Sequence, residues 1–215
     1  MWLYFRFPLS LRMVEDMLAA RGIIVSHQTV RTWADKFGRR FAKDLRKRSA
    51  GQFGDKWHLD EVVVTIQGKK HWLWRAVDQN GFVLDVLVQS RRNANAAKRL
   101  MRKLLKGQSK APRVMITDKL RSYGAARRQI MAGVEHRSHK GLNNRAENSH
   151  QPIRRRERIM KRFKSPKQLQ RFASIHDPIA NLFHISRQVT SSAHYRELRD
   201  AAMQSWCEIA RVNAV

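Results

Sequence analysis

Apolar residues recur at helical spacing over the first 48 residues. Leu11, Val14 and Leu18 share one face behind Ser10, a residue type that caps helices, and Gly22 suits the C-terminal end. Val30, Trp33 and Phe37 repeat the pattern at i, i+3 and i+7 behind a second candidate cap, Ser26. Two helices joined by a tight turn predict a helix-turn-helix over residues 1–48. The exposed start of its second helix carries His27, Gln28, Thr29, Arg31 and Thr32, side chains able to reach base edges. An ordinary helical hairpin fits the same pattern.

The period changes at Trp57. Trp57–Ile66 is rich in β-branched residues, Gly68-Lys69-Lys70 reads as a turn, and His71–Val77 as a second strand. Asp78-Gln79-Asn80-Gly81 holds the Asn-Gly hairpin signal before a third strand, Phe82–Val88. Trp72 and Trp74 read as core. Ala97, Leu100, Met101 and Leu104 then line a helix, Arg113–Thr117 is a short apolar strand, 119–132 a helix and Val134–His139 a last strand. From 144 onward the pattern is helical. Ser165-Pro166-Lys167-Gln168 opens one helix, Pro178 is expected to kink or break it, and a final helix covers about Tyr195 to Arg211.

Three antiparallel strands followed by helix–strand–helix–strand–helix is the ribonuclease H-like order. The chain is therefore expected to be α/β: a mixed sheet flanked by helices over residues 55–190, preceded by the all-α region 1–48 and followed by a helical tail, 191–215.

Composition adds the partner. Lys plus Arg is 44 against 17 Asp plus Glu, a net charge of +27. Such an excess is compatible with compaction on a polyanion, and nucleic acid fits it best through counterion release. A ribosomal type of protein shares this balance. A membrane surface does not fit, because the basic residues spread along the chain instead of lining one amphipathic helix. No apolar run reaches the roughly 20 residues of a membrane span. The single cysteine, Cys207, forms no internal disulfide. The start lacks the n-region and cleavage site of a signal peptide, so a cytoplasmic, nucleoid-associated location is expected.

In so basic a chain the acids stand out. Asp60 lies inside the apolar strand Trp57-His58-Leu59-Asp60-Glu61-Val62, where a carboxylate is costly unless paired or bound to metal. Asp118 follows Val114-Met115-Ile116-Thr117, at the strand end where α/β sheets display functional groups. Glu147 lies near a helix start in Asn143-Asn144-Arg145-Ala146-Glu147. In the order above, the first and fourth strands are neighbours, which brings Asp60 and Asp118 together with Glu147 delivered beside them. Three converging carboxylates suit Mg²⁺ or Mn²⁺, and a pair of such ions suits phosphoryl transfer. Taken singly, each acid has a plainer reading: an edge-strand ion pair for Asp60, a helix cap for Asp118, and the partner of an Asn144 cap for Glu147. Glu61 has no role assignable from its position.

At these residues the sequence resembles the insertion-sequence-six family of Asp–Asp–Glu transposases. The resemblance runs through Trp57-His58-Leu59-Asp60-Glu61, Trp72-Leu73-Trp74-Arg75-Ala76-Val77-Asp78, Ser90-Arg91-Arg92-Asn93, Thr117-Asp118-Lys119 and Val134-Glu135-His136-Arg137 to Glu147. It extends into Val14–Gly22 and Thr29–Trp33. It implies metal ligands at Asp60, Asp118 and Glu147, with Mg²⁺ as the ion and Mn²⁺ as its substitute. It implies a basic residue seven positions past the glutamate, here Arg154, two helical turns on and on the same face. Arg155, Arg156, Arg158, Lys161 and Arg162 around it form a candidate DNA-binding face.

The implied activity is binding of an element's terminal inverted repeats in double-stranded DNA, DNA cleavage and strand transfer to target DNA by a homodimer or larger assembly. A catalytically defective remnant that only binds DNA is the alternative, and a nuclease of the same fold that hydrolyses without joining is a third reading. The interval from Asp118 to Glu147 is 29 residues, shorter than the family usually shows. Before the abrupt Trp2-Leu3-Tyr4-Phe5 start the family usually carries more residues, a difference expected to reflect either an N-terminal truncation or a misassigned start. Zinc is not expected, since Cys-x-x-Cys is absent and His136 and His139 lack further partners in the sequence.

Overall fold

The structure is a computed structural model that describes residues 1–49, 51–185 and 190–211. The chain divides into two compact units, one of residues 1–48 and 175–215, the other of residues 49–174.

The first unit is helical: α1 (Trp2–Arg6), α2 (Leu11–Ala19), α3 (His27–Arg48), the second half of α8 (Pro166–Leu182) and α9 (Ser192–Ala210). Ser10 caps α2 by accepting from the Met13 N–H at 3.1 Å, and Ser26 caps α3 by accepting from Thr29 at 3.2 Å. Gly22 takes the left-handed conformation that ends α2. Two helices joined by a tight turn are thus present, but α3 runs for 22 residues, far beyond Phe37. Its later face explains the length. Phe41, Ala42 and Leu45 are buried, Trp206 of α9 packs edge-on against Phe41 with ring centroids 5.4 Å apart, and Arg48 pairs with Glu208 at 2.7 Å.

These contacts alter the expected division. The segment 191–215 is not a separate tail, because α9 packs with the N-terminal helices. The sheet-bearing unit ends at Ser174, short of the expected 190. Pro178 does not break α8, which continues through it to Leu182. A proline removes only one N–H from the ladder, and Ile175 and Ile179 on either side are buried.

The second unit is built on a five-stranded sheet in the order β3-β2-β1-β4-β5. The strands are β1 (Lys56–Ile66), β2 (Lys69–Asp78), β3 (Val83–Gln89), β4 (Val114–Thr117) and β5 (Glu135–Ser138). The first three pair antiparallel; β4 joins β1, and β5 joins β4, in parallel. This mixed sheet with its crossover helices is the ribonuclease H-like arrangement.

The β1–β2 turn is Gln67-Gly68, both at positive φ, so Lys69 and Lys70 begin the next strand instead of forming the turn. At the second turn Asp78 closes the loop, its Oδ1 accepting from Asn80 and Phe82 at 2.9 Å each.

Helices α4 (Ala94–Gln108) and α5 (Arg121–Ile130) cover one sheet face. Their Ala97, Leu100, Leu104, Tyr123 and Ala126 pack on Trp57, Leu59, Trp74 and Ala76. Side chains alternate along a strand, so His58, Asp60 and Val62 of β1 point to the opposite face. That side is met by α6 (Asn144–Ser149) and α7 (Gln151–Ile159).

Candidate active site

The parallel register of β1 and β4 sets the centre of the site. Leu59 lies opposite Thr117, the last pair of the ladder. The next residues on the two chains are Asp60 and Asp118, which leave the ladder side by side. Neighbouring strands are about 4.8 Å apart. Asp60, Glu61 and Asp118 each offer an oxygen, all lying within 4.8 Å of one another.

The three carboxylates are not equivalent. The Asp60 and Asp118 side chains are 14% and 25% exposed, whereas that of Glu61 is 0% exposed. Both Glu61 oxygens hold donors: Arg92 Nε reaches Oε1 at 2.6 Å and the Tyr123 hydroxyl reaches Oε2 at 2.6 Å. Burial pushes the Glu61 carboxyl up to about 7, against the lowering effect of those two hydrogen bonds. Arg92 is held from a second side, its guanidinium 5.0 Å from the centre of the Trp72 ring, and its Nη2 lies 3.5 Å from Asp118. Asp118 also accepts from the Leu120 N–H at 2.9 Å, a turn two residues long that leads into α5; it does not cap that helix, whose N-cap is Leu120.

Asp60 faces the other way. His150, buried at the junction of α6 and α7, has its Nε2 3.1 Å from Asp60 Oδ2. Asn143, 0% exposed, donates to the Leu59 carbonyl at 2.9 Å and fastens the start of α6 to β1. An open cleft of about 410 Å³ lies here, lined by Asp60, Val62, Glu147, His150, Gln151, Arg154, Arg155 and Arg158.

Glu147 and Arg154 therefore share a cleft with Asp60. Glu147 is exposed and is not one of the three clustered acids; Glu61 takes that place. Asn143, not Asn144, is the residue before α6, and its side chain caps nothing there. The expected single helix is divided at His150. Pro152 follows, and without an N–H it cannot bond back to residue 148. Arg154 pairs with Glu157 at 3.2 Å.

Of the expected DNA-binding face, Arg155, Arg158, Lys161 and Arg162 are exposed. Arg156 is not: it is 2% exposed, with its guanidinium 5.1 Å from the centre of the Phe172 ring. One helical turn puts Arg156 beside Ile153 on the buried face of α7. In the first unit Gln28, Arg31 and Thr32 are exposed. His27 contacts Glu15 at 3.2 Å and Thr29 is engaged by Ser26, so these two serve the turn itself. Reading by sequence missed Arg92, Tyr123, Asn143 and His150. Arg92 and Asn143 lie within the stretches that carry the family resemblance, and His150 lies one helical turn past Glu147, but nothing in the sequence marked their roles.

The donor set suits a divalent cation. Asp60 and Asp118 present half-buried carboxylate oxygens, the ligands of hard ions. Glu61 already has hydrogen bonds at both oxygens, which makes it a support for the pair.

A family model described as a DDE domain matches residues 54–186. The transposase for insertion sequence element IS257 in transposon Tn4003 of Staphylococcus aureus is 30% identical over 156 residues, covering 70% of this chain and 69% of that protein. The transposase for insertion sequence-like element IS431mec of Staphylococcus aureus strain Mu50 matches to the same extent, 30% over 156 residues. Among solved structures, the catalytic core domain of HTLV-2 integrase in complex with magnesium overlays with a TM-score of 0.44 at 14% identity, covering 69% of this chain and 99% of that one. The match over well more than half of the chain, on a sheet that sets Asp60 beside Asp118, makes this protein a member of the DDE-domain transposases of the insertion-sequence-six family.

Proposed function

We propose that the protein binds the ends of its own insertion sequence and catalyses DNA cleavage and strand transfer at the cleft between β1 and the α6–α7 segment. The observation that carries this reading is the register of β1 against β4, which brings Asp118 beside Asp60, itself a wall of a cleft lined by Arg154, Arg155 and Arg158. Asp60 and Asp118 would hold Mg²⁺, for which Mn²⁺ substitutes, with Glu147 contributing from the opposite wall. When bound, the ions supply an activated oxygen nucleophile and stabilise the leaving oxygen of an in-line displacement at phosphorus.

The chain's own residues do the rest. Arg154, Arg155 and Arg158 line the cleft and bind backbone phosphates, Arg154 nearest the reacting group. Lys161 and Arg162 extend that face. Gln28, Arg31 and Thr32 at the start of α3 read base edges, with His27 and Thr29 shaping the turn. Two element ends must be held at once, so the active form is a dimer or larger assembly. No helix among the described residues is long and apolar enough to cross a membrane.

A strand-transfer assay tests this, with Mg²⁺ and oligonucleotides copied from the inverted repeats flanking the gene. Joined products from the wild type and none from Asp118→Asn or Glu147→Gln, with binding to the repeats intact, are expected. Hydrolysis without joining would replace the reading with a nuclease. Binding without chemistry in either ion would mark a defective copy.

A further inference from the structure

His150 connects three of the residues the proposed reaction uses: Asp60, Glu147 and Arg154. Its side chain meets Asp60 on β1 at 3.1 Å. Its backbone N–H donates to the carbonyl of Glu147 at 3.2 Å, and its carbonyl accepts from the N–H of Arg154 at 3.0 Å. One buried residue therefore joins the strand carrying the first acid to both cleft residues carried by the helices. The junction is also where the segment is weakest. α6 has only six residues, and Pro152 deletes a rung of the ladder. Asn143 ties the start of α6 to the Leu59 carbonyl of β1, and His150 supplies the side-chain tie to β1 at the α6–α7 junction itself, between Glu147 and Arg154.

The ring's orientation follows from its surroundings. An ionised carboxylate only accepts hydrogen bonds, so the Nε2 facing Asp60 must carry the proton. The other nitrogen, Nδ1, is buried with no hydrogen-bond partner among the described residues, which suits a bare lone pair better than an N–H. A donor fixed on Oδ2 sets the rotation of the carboxylate. Outer partners of this kind orient metal-binding carboxylates.

We propose that His150 is a positioning residue: by donating from Nε2 to Asp60 it fixes that carboxylate for metal binding and docks Glu147 and Arg154 across from it. The proposal rests on Asp60 being a metal ligand, as read above.

The test measures Mn²⁺ affinity of the DNA-free protein by titration for the wild type, His150→Leu, His150→Gln and Asp60→Asn, with thermal melting of each. Leucine fills the site without a donor; glutamine returns an N–H at similar reach. Expected is a loss of about tenfold or more in Mn²⁺ affinity for His150→Leu, of the size seen for outer partners of metal ligands, and recovery to within about threefold for His150→Gln. In strand transfer, kcat should fall while KM for DNA holds. Equal Mn²⁺ affinity in the wild type and His150→Leu, with affinity lost in Asp60→Asn, would overturn the proposal alone. Unchanged affinity in Asp60→Asn would overturn the reading of Asp60 on which it rests. Imidazole ¹⁵N spectra of the folded wild type, assigned with His150→Gln, give a second readout that survives any misfolding of the leucine variant. The Nε2–H tautomer is expected, and the Nδ1–H tautomer would refute the proposal.

Discussion

Tyr123→Phe removes one oxygen from the core of the second unit and little else. The Tyr123 ring is 0% exposed and packs edge-on against Trp74, with centroids 5.5 Å apart, a contact phenylalanine keeps. What disappears is the 2.6 Å hydrogen bond to Glu61 Oε2. Hydrogen bonds to charged groups contribute about 1.5–3 kcal/mol, and a buried acceptor left bare is costly. The Glu61 side chain is 0% exposed, so water does not replace the donor, while Arg92 still holds Oε1 at 2.6 Å. The expected cost is about 2 kcal/mol, or a fall of about 4–8 °C in melting temperature for a chain of this size.

Urea unfolding at pH 8 measures it, above the value of about 7 to which burial pushes Glu61. A double-mutant cycle with Glu61→Leu, which has similar bulk and no acceptor, isolates the bond, with a coupling energy of about 1–2 kcal/mol expected. A cost of Tyr123→Phe below about 0.5 kcal/mol, or the same cost in both backgrounds, would show that the Glu61 network does not hold as described.

Three further outcomes follow from the same geometry. Arg155→Ala and Arg158→Ala should each weaken DNA binding and reduce the salt dependence by about one phosphate contact without lowering the melting temperature. Arg156→Ala should instead cost about 2 kcal/mol of stability through loss of its desolvated contact with Phe172, leaving the salt slope unchanged. Ser26→Ala removes the cap of α3 and should cost about 1 kcal/mol, read by urea unfolding, since Thr29 N–H loses its acceptor.

His136 is held below the usual histidine range, first by burial and then by the charge of Arg127. The unfolded chain therefore takes up more protons as pH falls through about 6.5, so this contribution is present above that pH and is lost on acidification. His136→Gln should flatten the stability–pH curve below about pH 6.5, measured by urea unfolding at a series of pH values.

The strands, the order of the elements and two of the acids were legible in the sequence because each is a local matter. A period-2 run such as Trp57–Ile66 or a helical face such as Ala97-Leu100-Leu104 buries itself wherever it packs, and the caps Ser10 and Ser26 act within three residues. Asp60 and Asp118 were visible because an acid within or just after an apolar strand is out of place. Contacts between residues far apart in the chain carry no such mark. Glu61 looks like a surface acid until the fold places Tyr123 and Arg92 on its two oxygens. Arg156 looks like its basic neighbours until the helix turns it onto Phe172. The segment after residue 190 reads as a tail until Trp206 meets Phe41. The sequence by itself determined which segments are helix or strand and which partner the charge favours. Tertiary structure alone decided that Glu61 is the third acid clustered with Asp60 and Asp118, which cations are buried, and that a single histidine ties Asp60 to Glu147 and Arg154. Those depend on register and packing between segments up to 90 residues apart.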